Sequence, residues 1–220
     1  MKNKYLSRAE KEYGSRLFLK HCTFNGFGIS FLGDTLVFLM AIHFGASNLQ
    51  LGYISSVMHM SGIILVILPG LLNGINIIKV QYRAWLLRGL ICLLYGLLFF
   101  LSGQTAVIFI LAIYTMFCVV RMFGMAVAEP IQQMLTTPAN VGEFVIAITN
   151  RFHFSRLLSY FISFLILSIK FFAGLPGLLI AVSIGIINNT LAAYYLKKIP
   201  AREVVEYRKG NNIFRLFIDA

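Results

Sequence analysis

The chain has 220 residues, 59% of them hydrophobic and 12% charged, with a mean hydropathy of +0.81. A soluble domain carries roughly 25% charged residues to cover its surface, so this composition excludes one, and the polar stretches are too short to hold a separate soluble unit. The net charge of +11 does not indicate nucleic acid, because the basic residues gather at the edges of apolar runs rather than along a stripe interleaved with stacking aromatics.

A transmembrane helix needs about 20 mainly apolar residues. Read in order, the sequence divides into a basic cytoplasmic tail over 1–19, six spans at 20–44, 50–73, 84–103, 105–128, 153–172 and 175–196, and a cytoplasmic amphipathic linker over 197–220. Connection 43–50 carries no Lys or Arg, 73–83 carries Lys79 and Arg83, and 102–105 is a tight uncharged turn. The long loop 129–152 holds Glu129, Glu143 and Arg151, and 170–176 is a short turn broken by Gly174 and Pro176. With this layout, eighteen of the 19 Lys and Arg fall on one side and only Lys170 on the other. The positive-inside rule then predicts a multi-pass protein of the cell (inner) membrane with both termini in the cytoplasm.

The sequence lacks a Walker-type glycine loop, a Cys/His metal cluster, H-E-x-x-H and G-x-S-x-G. No catalytic residue, metal ligand or cofactor site is expected, and the chain is not read as an enzyme. Cys22, Cys92 and Cys118 lie in apolar runs and read as small hydrophobes. The sequon-like Asn188-Asn189-Thr190 falls at the cytoplasmic end of span six and is set aside.

Ionisable side chains within the hydrocarbon are costly, so each is a functional candidate. Asp34 sits near the middle of span one, on a small and polar helical stripe with Thr23, Gly26, Ser30, Val37 and Ala41. His59 lies near the middle of span two beside Gly52, Ser55 and Gly62, where it can relay protons or hydrogen-bond between helices. Arg121 in span four cannot shed its charge and needs a carboxylate, carbonyls or water. An Asp34–Arg121 ion pair would satisfy both groups. Tyr114 and Phe117 are further cavity candidates, with aromatic packing the plainer role. Arg83, Arg88, Arg151 and Arg156 lie close enough to the inner face to snorkel into headgroups.

The order of these features resembles the N-terminal six-helix half of a major facilitator superfamily transporter. Residues 44–52 (FGASNLQLG) are similar to the outer turn leading into that family's second helix. Arg121-Met122-Phe123-Gly124, followed by Glu129-Pro130, resembles its fourth-helix R-x-x-G element. Thr137-Pro138, Asn150-Arg151-Phe152 and Arg156 resemble the P…R-x-R loop that enters the fifth helix. The loop signature G-x-x-x-D-R-x-G-R-R would begin at Gly74; Lys79 and Arg83 keep its basic character, while Ile78 replaces the Asp and Gln81 the second Gly.

The resemblance implies an all-α membrane fold of six helices as two three-helix inverted repeats, half of a twelve-helix whole. It implies that the first and fourth helices line a central cavity, with Asp34, Arg121, His59 and Tyr114 binding solute or proton and Lys79, Arg83, Arg151 and Arg156 acting in gating loops. It further implies secondary transport of a small solute by alternating access, with proton coupling as one mode. The expected partners are the bilayer, the solute, and a second six-helix half or another copy of the chain, with no nucleic acid. The rival expectation is a truncated, non-transporting fragment or an accessory membrane protein.

The charge asymmetry sets a direct test. Cysteines introduced at Ser47 and Ser102 are expected to react with a membrane-impermeant maleimide from outside intact cells, and those at Asn76 and Asn140 only from the inside. The reverse pattern overturns the orientation.

Overall fold

The computed structural model describes residues 6–170 and 174–205. It is all-helical, 84% helix, with no strand among the described residues. The helices are α1 (Arg8–Leu32), α2 (Asp34–His43), α3 (Asn48–Ser61), α4 (Leu68–Leu71), α5 (Ile77–Cys92), α6 (Gly103–Ala126), α7 (Ala128–Leu135), α8 (Val141–Ser168) and α9 (Leu175–Lys197). Two tighter 3-10 stretches, Gly62–Val66 and Leu93–Phe100, prolong α3 and α5.

Local chemistry explains most of the boundaries. Ser7 and Glu10 form a reciprocal capping box, so α1 starts at Arg8 and continues straight into the apolar run. The expected tail 1–19 is therefore helical from Arg8, and residues 1–5 lie outside the described residues. Ser47 and Gln50 make the same box at α3. Asn76 caps α5 by accepting from the Lys79 backbone N–H at 3.1 Å, which sets the helix start seven residues ahead of the expected span at 84. At the end of α2, Gly45 (φ +80°) closes a Schellman turn, with Ala46 N–H donating to Ala41 O at 2.9 Å and Gly45 N–H to Ile42 O at 3.0 Å. A side chain at Gly45 would strain this left-handed turn.

Among the described residues, five helical runs are long and apolar enough to cross a membrane: Arg8–His43, Asn48–Val66, Ile77–Phe100, Gly103–Leu135 and Leu175–Lys197. This is the make-up of a multi-pass membrane protein. The expected fifth span, 153–172, falls on α8 and is not among them. Arg151, His153, Ser155, Arg156 and Ser159 dilute the apolar content of its middle, and 171–173 lie outside the described residues. The expected loop 129–152 is also mostly helix, since α7 and the first turns of α8 leave only 136–140 between them. In the expected linker 197–220, residues 201–205 run extended against the start of α5. Ile77 N–H donates to Glu203 O at 3.2 Å and Val205 N–H to Ile75 O at 2.9 Å, while 206–220 lie outside the described residues.

The bundle is organised around α1, which packs on α9 and α8; α5 packs on α9 and α6, and α3 on α6. Small residues let these backbones approach. A Cβ added at Gly26 would meet the Phe152 carbonyl oxygen of α8 at 2.6 Å, and one at Gly185 would meet Phe31 Cβ of α1 at 2.7 Å. The buried side chains form two apolar clusters. One holds Phe31, Met40, Ile54, Tyr95, Ile110, Phe117 and Val182. The other holds Leu17, Phe18, Trp85, Met122, Leu135 and Leu196.

The contrast between glycines is testable. Gly26→Ala is expected to lower stability by about 1–3 kcal/mol, the usual range for overpacking a tight contact. Gly52→Ala, where the added carbon meets nothing within 4 Å, is expected to be neutral or to raise stability by up to about 1 kcal/mol through helix propensity. Thermal unfolding in detergent reads both, and equal effects would show that α1 and α8 are not in this close contact.

Candidate functional site

Span one does not run through as a single helix. Gly33 takes an extended conformation (φ −88°, ψ −168°) between α1 and α2, and a Cβ there would collide with the Ile29 carbonyl oxygen. Asp34 is the first residue of α2 and is exposed there, while Val37 and Ala41 of the same helix are 0% exposed. Asp34 Oδ1 accepts from the Thr35 backbone N–H at 3.0 Å.

Asp34 opens onto a cavity of about 220 Å³ lined also by Ser55, Met58 and His59 of α3, Tyr114 and Arg121 of α6, and Phe152 and Arg156 of α8. The four residues marked from sequence as solute- or proton-binding, Asp34, His59, Tyr114 and Arg121, thus line one cavity. Arg156, assigned from sequence to the inner face and a gating loop, lines it too. Tyr114 is buried and stacks on Phe117 with centroids 5.8 Å apart, while His59 is exposed to the cavity. Arg156 Nη2 donates to Tyr160 Oη at 2.8 Å.

The expected Asp34–Arg121 ion pair does not form: no approach within 4.0 Å joins the two carboxylate and guanidinium groups. Arg121 Nη1 instead reaches Met58 Sδ at 3.6 Å. The other expected gating residues, Lys79, Arg83 and Arg151, are exposed and stand apart from this cavity. Arg83 borders an apolar groove between α5 and α6.

A second cavity of about 170 Å³ adjoins the first, sharing Ile29, Arg121 and Phe152, and is lined further by His21, Asn25, Gln81, Trp85 and Arg88. Arg88 is no headgroup anchor. It is 1% exposed, because α5 begins at Ile77 and carries position 88 about 16 Å up the helix at 1.5 Å per residue. Its Nε donates to Asn189 Oδ1 at 2.9 Å and its Nη2 to Asn25 Oδ1 at 2.9 Å, with a second bond from Nη2 to Asn189. Its guanidinium lies 4.3 Å from the Trp85 ring centre and 5.3 Å from that of Phe117. Trp85 Nε1 also donates to Asn25 Oδ1, at 2.8 Å, and Asn189 Nδ2 donates to the Trp85 carbonyl. The neighbouring glycines make room: a Cβ on Gly28 would touch the Asn189 backbone at 3.3 Å, and one on Gly89 would meet Asn189 Nδ2 at 2.7 Å.

Asn25, Arg88, Arg121 and Asn189 therefore form a polar layer between the two apolar clusters. Sequence reasoning missed Asn25 and Asn189 and misplaced Arg88. Two signals were available: amide side chains inside apolar runs, and the Trp85–Arg88 spacing of three residues, which puts both on one helix face.

Double-mutant cycles separate the two pairings. Arg88→Gln with Asn189→Ala is expected to show a coupling of about 2 kcal/mol or more, since hydrogen bonds to a buried charge are the strong ones. Asp34→Asn with Arg121→Gln is expected to be additive within about 1 kcal/mol, as befits charges facing an open cavity. Unfolding measured in nanodiscs reads both cycles, and a large Asp34–Arg121 coupling would contradict the observed separation. Compared with known proteins, the chain matches no family, no curated sequence and no solved structure.

Proposed function

We propose that the chain forms a six-span, N-in and C-in transporter half of the major facilitator type, which moves a small solute across the membrane by alternating access together with a second six-helix unit. One observation carries this reading: Asp34, His59, Tyr114, Arg121 and Arg156, contributed by four different helices, meet at one cavity within the bundle. Ionisable groups at that depth are too costly to keep as filler, and together they make a site that can hold a polar solute or a proton.

Two further features support it. A helix broken at the substrate site is a recurrent transporter device, because it offers backbone dipoles and an exposed side chain within the membrane. Here the break falls at Gly33, and both Gly33 and Asp34, the first residue of α2, line the cavity. The packed pairs also follow a symmetric rule. With α1–α2 as span one, α3, α5, α6 and α9 as spans two, three, four and six, and α8 as span five, exchanging one with four, two with five and three with six maps the most extensive contacts onto one another, while the smaller α2–α3 and α8–α9 contacts have no counterpart of similar extent. The α1–α8 contact maps to α6–α3, α1–α9 to α6–α5, and α5–α9 to itself. Such a rule is what two inverted three-helix repeats would produce.

In this mechanism the cavity face is one wall of the translocation path, and the partner unit supplies the other. Asp34 carries the coupled proton, with His59 at its side and Arg121 and Arg156 holding the solute. The reading is tested in proteoliposomes containing the chain and an entrapped pH dye. Solute-driven proton entry is expected with the wild type, and Asp34→Asn is expected to remove the pH dependence of uptake while leaving a slower, pH-independent leak. Uptake whose pH dependence survives Asp34→Asn would assign Asp34 a structural role. No uptake by the chain, either alone or co-reconstituted with any six-span unit encoded beside it, would favour a non-transporting accessory protein.

A further inference from the structure

The charges around the two cavities do not balance. Three guanidinium groups, Arg88, Arg121 and Arg156, line them, and the only carboxylate among the lining residues is Asp34. Each guanidinium has five N–H donors, and few are used. Arg88 spends Nε and Nη2 on neutral amides, and its Nη1 makes no hydrogen bond to a described residue. Arg121 makes one contact, to a thioether sulfur, which is a weak acceptor. Arg156 makes one bond to Tyr160, and its Nε is buried without a partner. A buried arginine without a counter-anion is strongly unfavourable, and neutral amides and ring faces relieve that only in part.

Building on the transport reading above, we infer that the two adjoining cavities bind a small organic anion through a carboxylate or phosphate group. Arginine forks match the planar, two-oxygen geometry of such groups and bind them through paired charge-assisted hydrogen bonds. Arg121, which borders both cavities, takes the anionic group, and Arg156 supports it from α8. Arg88 is a positioning residue that holds positive potential behind them, locked in place by Asn25 and Asn189. Volumes of about 220 and 170 Å³ suit a solute of a few heavy atoms rather than a large one. A lipid headgroup offers the same chemistry. However, the polar layer lies between two apolar clusters and away from the helix ends, where headgroups sit, which favours a soluble anion.

The chain's single tryptophan, Trp85, lines the second cavity and stacks on Arg88, so its emission reports occupancy. The protein is placed in nanodiscs of phosphatidylcholine and titrated with sodium malonate or sodium phosphate at ionic strength held constant with sodium chloride. Tetramethylammonium chloride serves as the cationic control. A saturable change with malonate or phosphate and none with the control is expected. Arg121→Gln and Arg156→Gln should each weaken binding about tenfold or more, the scale of a lost charge-assisted hydrogen bond. Asp34→Asn should tighten it, because removing the lone carboxylate removes repulsion. That sign separates an anion site from a merely structural arginine cluster, whose variants would not strengthen any ligand.

No saturable response to either anion, a response shared by the cation, or weaker binding in Asp34→Asn overturns the inference. Loss of the malonate response in phosphatidylglycerol nanodiscs would assign the site to a headgroup and overturn the soluble-anion assignment. Malonate binding without any uptake in proteoliposomes would leave the anion site standing and remove the transport reading. Solute uptake with no anion response would do the reverse.

Discussion

The constraint on which the rest of this bundle depends is the permanent charge of Arg88, held 1% exposed in the interior. A guanidinium cannot neutralise itself by losing a proton, so its surroundings must supply acceptors and polarisable faces. Asn25 from α1 and Asn189 from α9 provide the acceptors, and Trp85 and Phe117 provide ring faces. The two asparagines are in turn fixed by Trp85, through its indole N–H and its carbonyl. Four helices, α1, α5, α6 and α9, are thereby tied at one level. The close approach that permits this requires glycine at positions 28 and 89, against which Asn189 is seated.

This polar layer divides the interior into two apolar clusters and gives the cavities their location. Apolar side chains interdigitate to crystal-like density, whereas guanidinium and amide groups need directional partners and leave gaps where none exists. The cavities open at this level, with Arg121 as their common wall. The break at Gly33 has a complementary effect. By interrupting α1–α2 it leaves Asp34 in the exposed first turn of α2, where the one carboxylate among the cavity-lining residues shares the first cavity with Arg121 and Arg156 without an ion pair to Arg121. An unpaired arrangement of this kind leaves the charges available to a ligand, while a tight internal ion pair would have consumed them.

At one end of the bundle the ties are of a different kind. Glu10 pairs with Arg202 at 2.7 Å, Lys11 Nζ donates to the Thr136 carbonyl at 2.9 Å, and Ser15 donates to the Leu135 carbonyl at 3.1 Å. With residues 201–205 laid against the start of α5, these contacts join α1, α5, α7 and the segment after α9. The opposite end, around 44–51 and 101–104, is linked by the amides of Gln50 and Gln104 at 2.7 Å.

The sequence by itself determined the features set by local chemistry: an all-helical chain of repeated membrane-length runs, and the connections around Gly45 and Gly174 that separate them. It also singled out Asp34, His59, Tyr114 and Arg121, because a polar group in an apolar run stands out without any knowledge of its neighbours. What it could not supply was partnership. Whether Arg88 reaches a headgroup or an asparagine depends on where α5 begins and on which residue of α9 lies opposite, 101 positions away. The expected Asp34–Arg121 pair failed for the same reason: hydropathy gives depth but not the rotation of one helix against another, and Arg121 reaches Met58 of α3 instead. Only the tertiary structure brought Arg156 into the cavity and joined Asn25 and Asn189 through Arg88, since side-chain contact between helices depends on interaxial packing, which no single helix encodes.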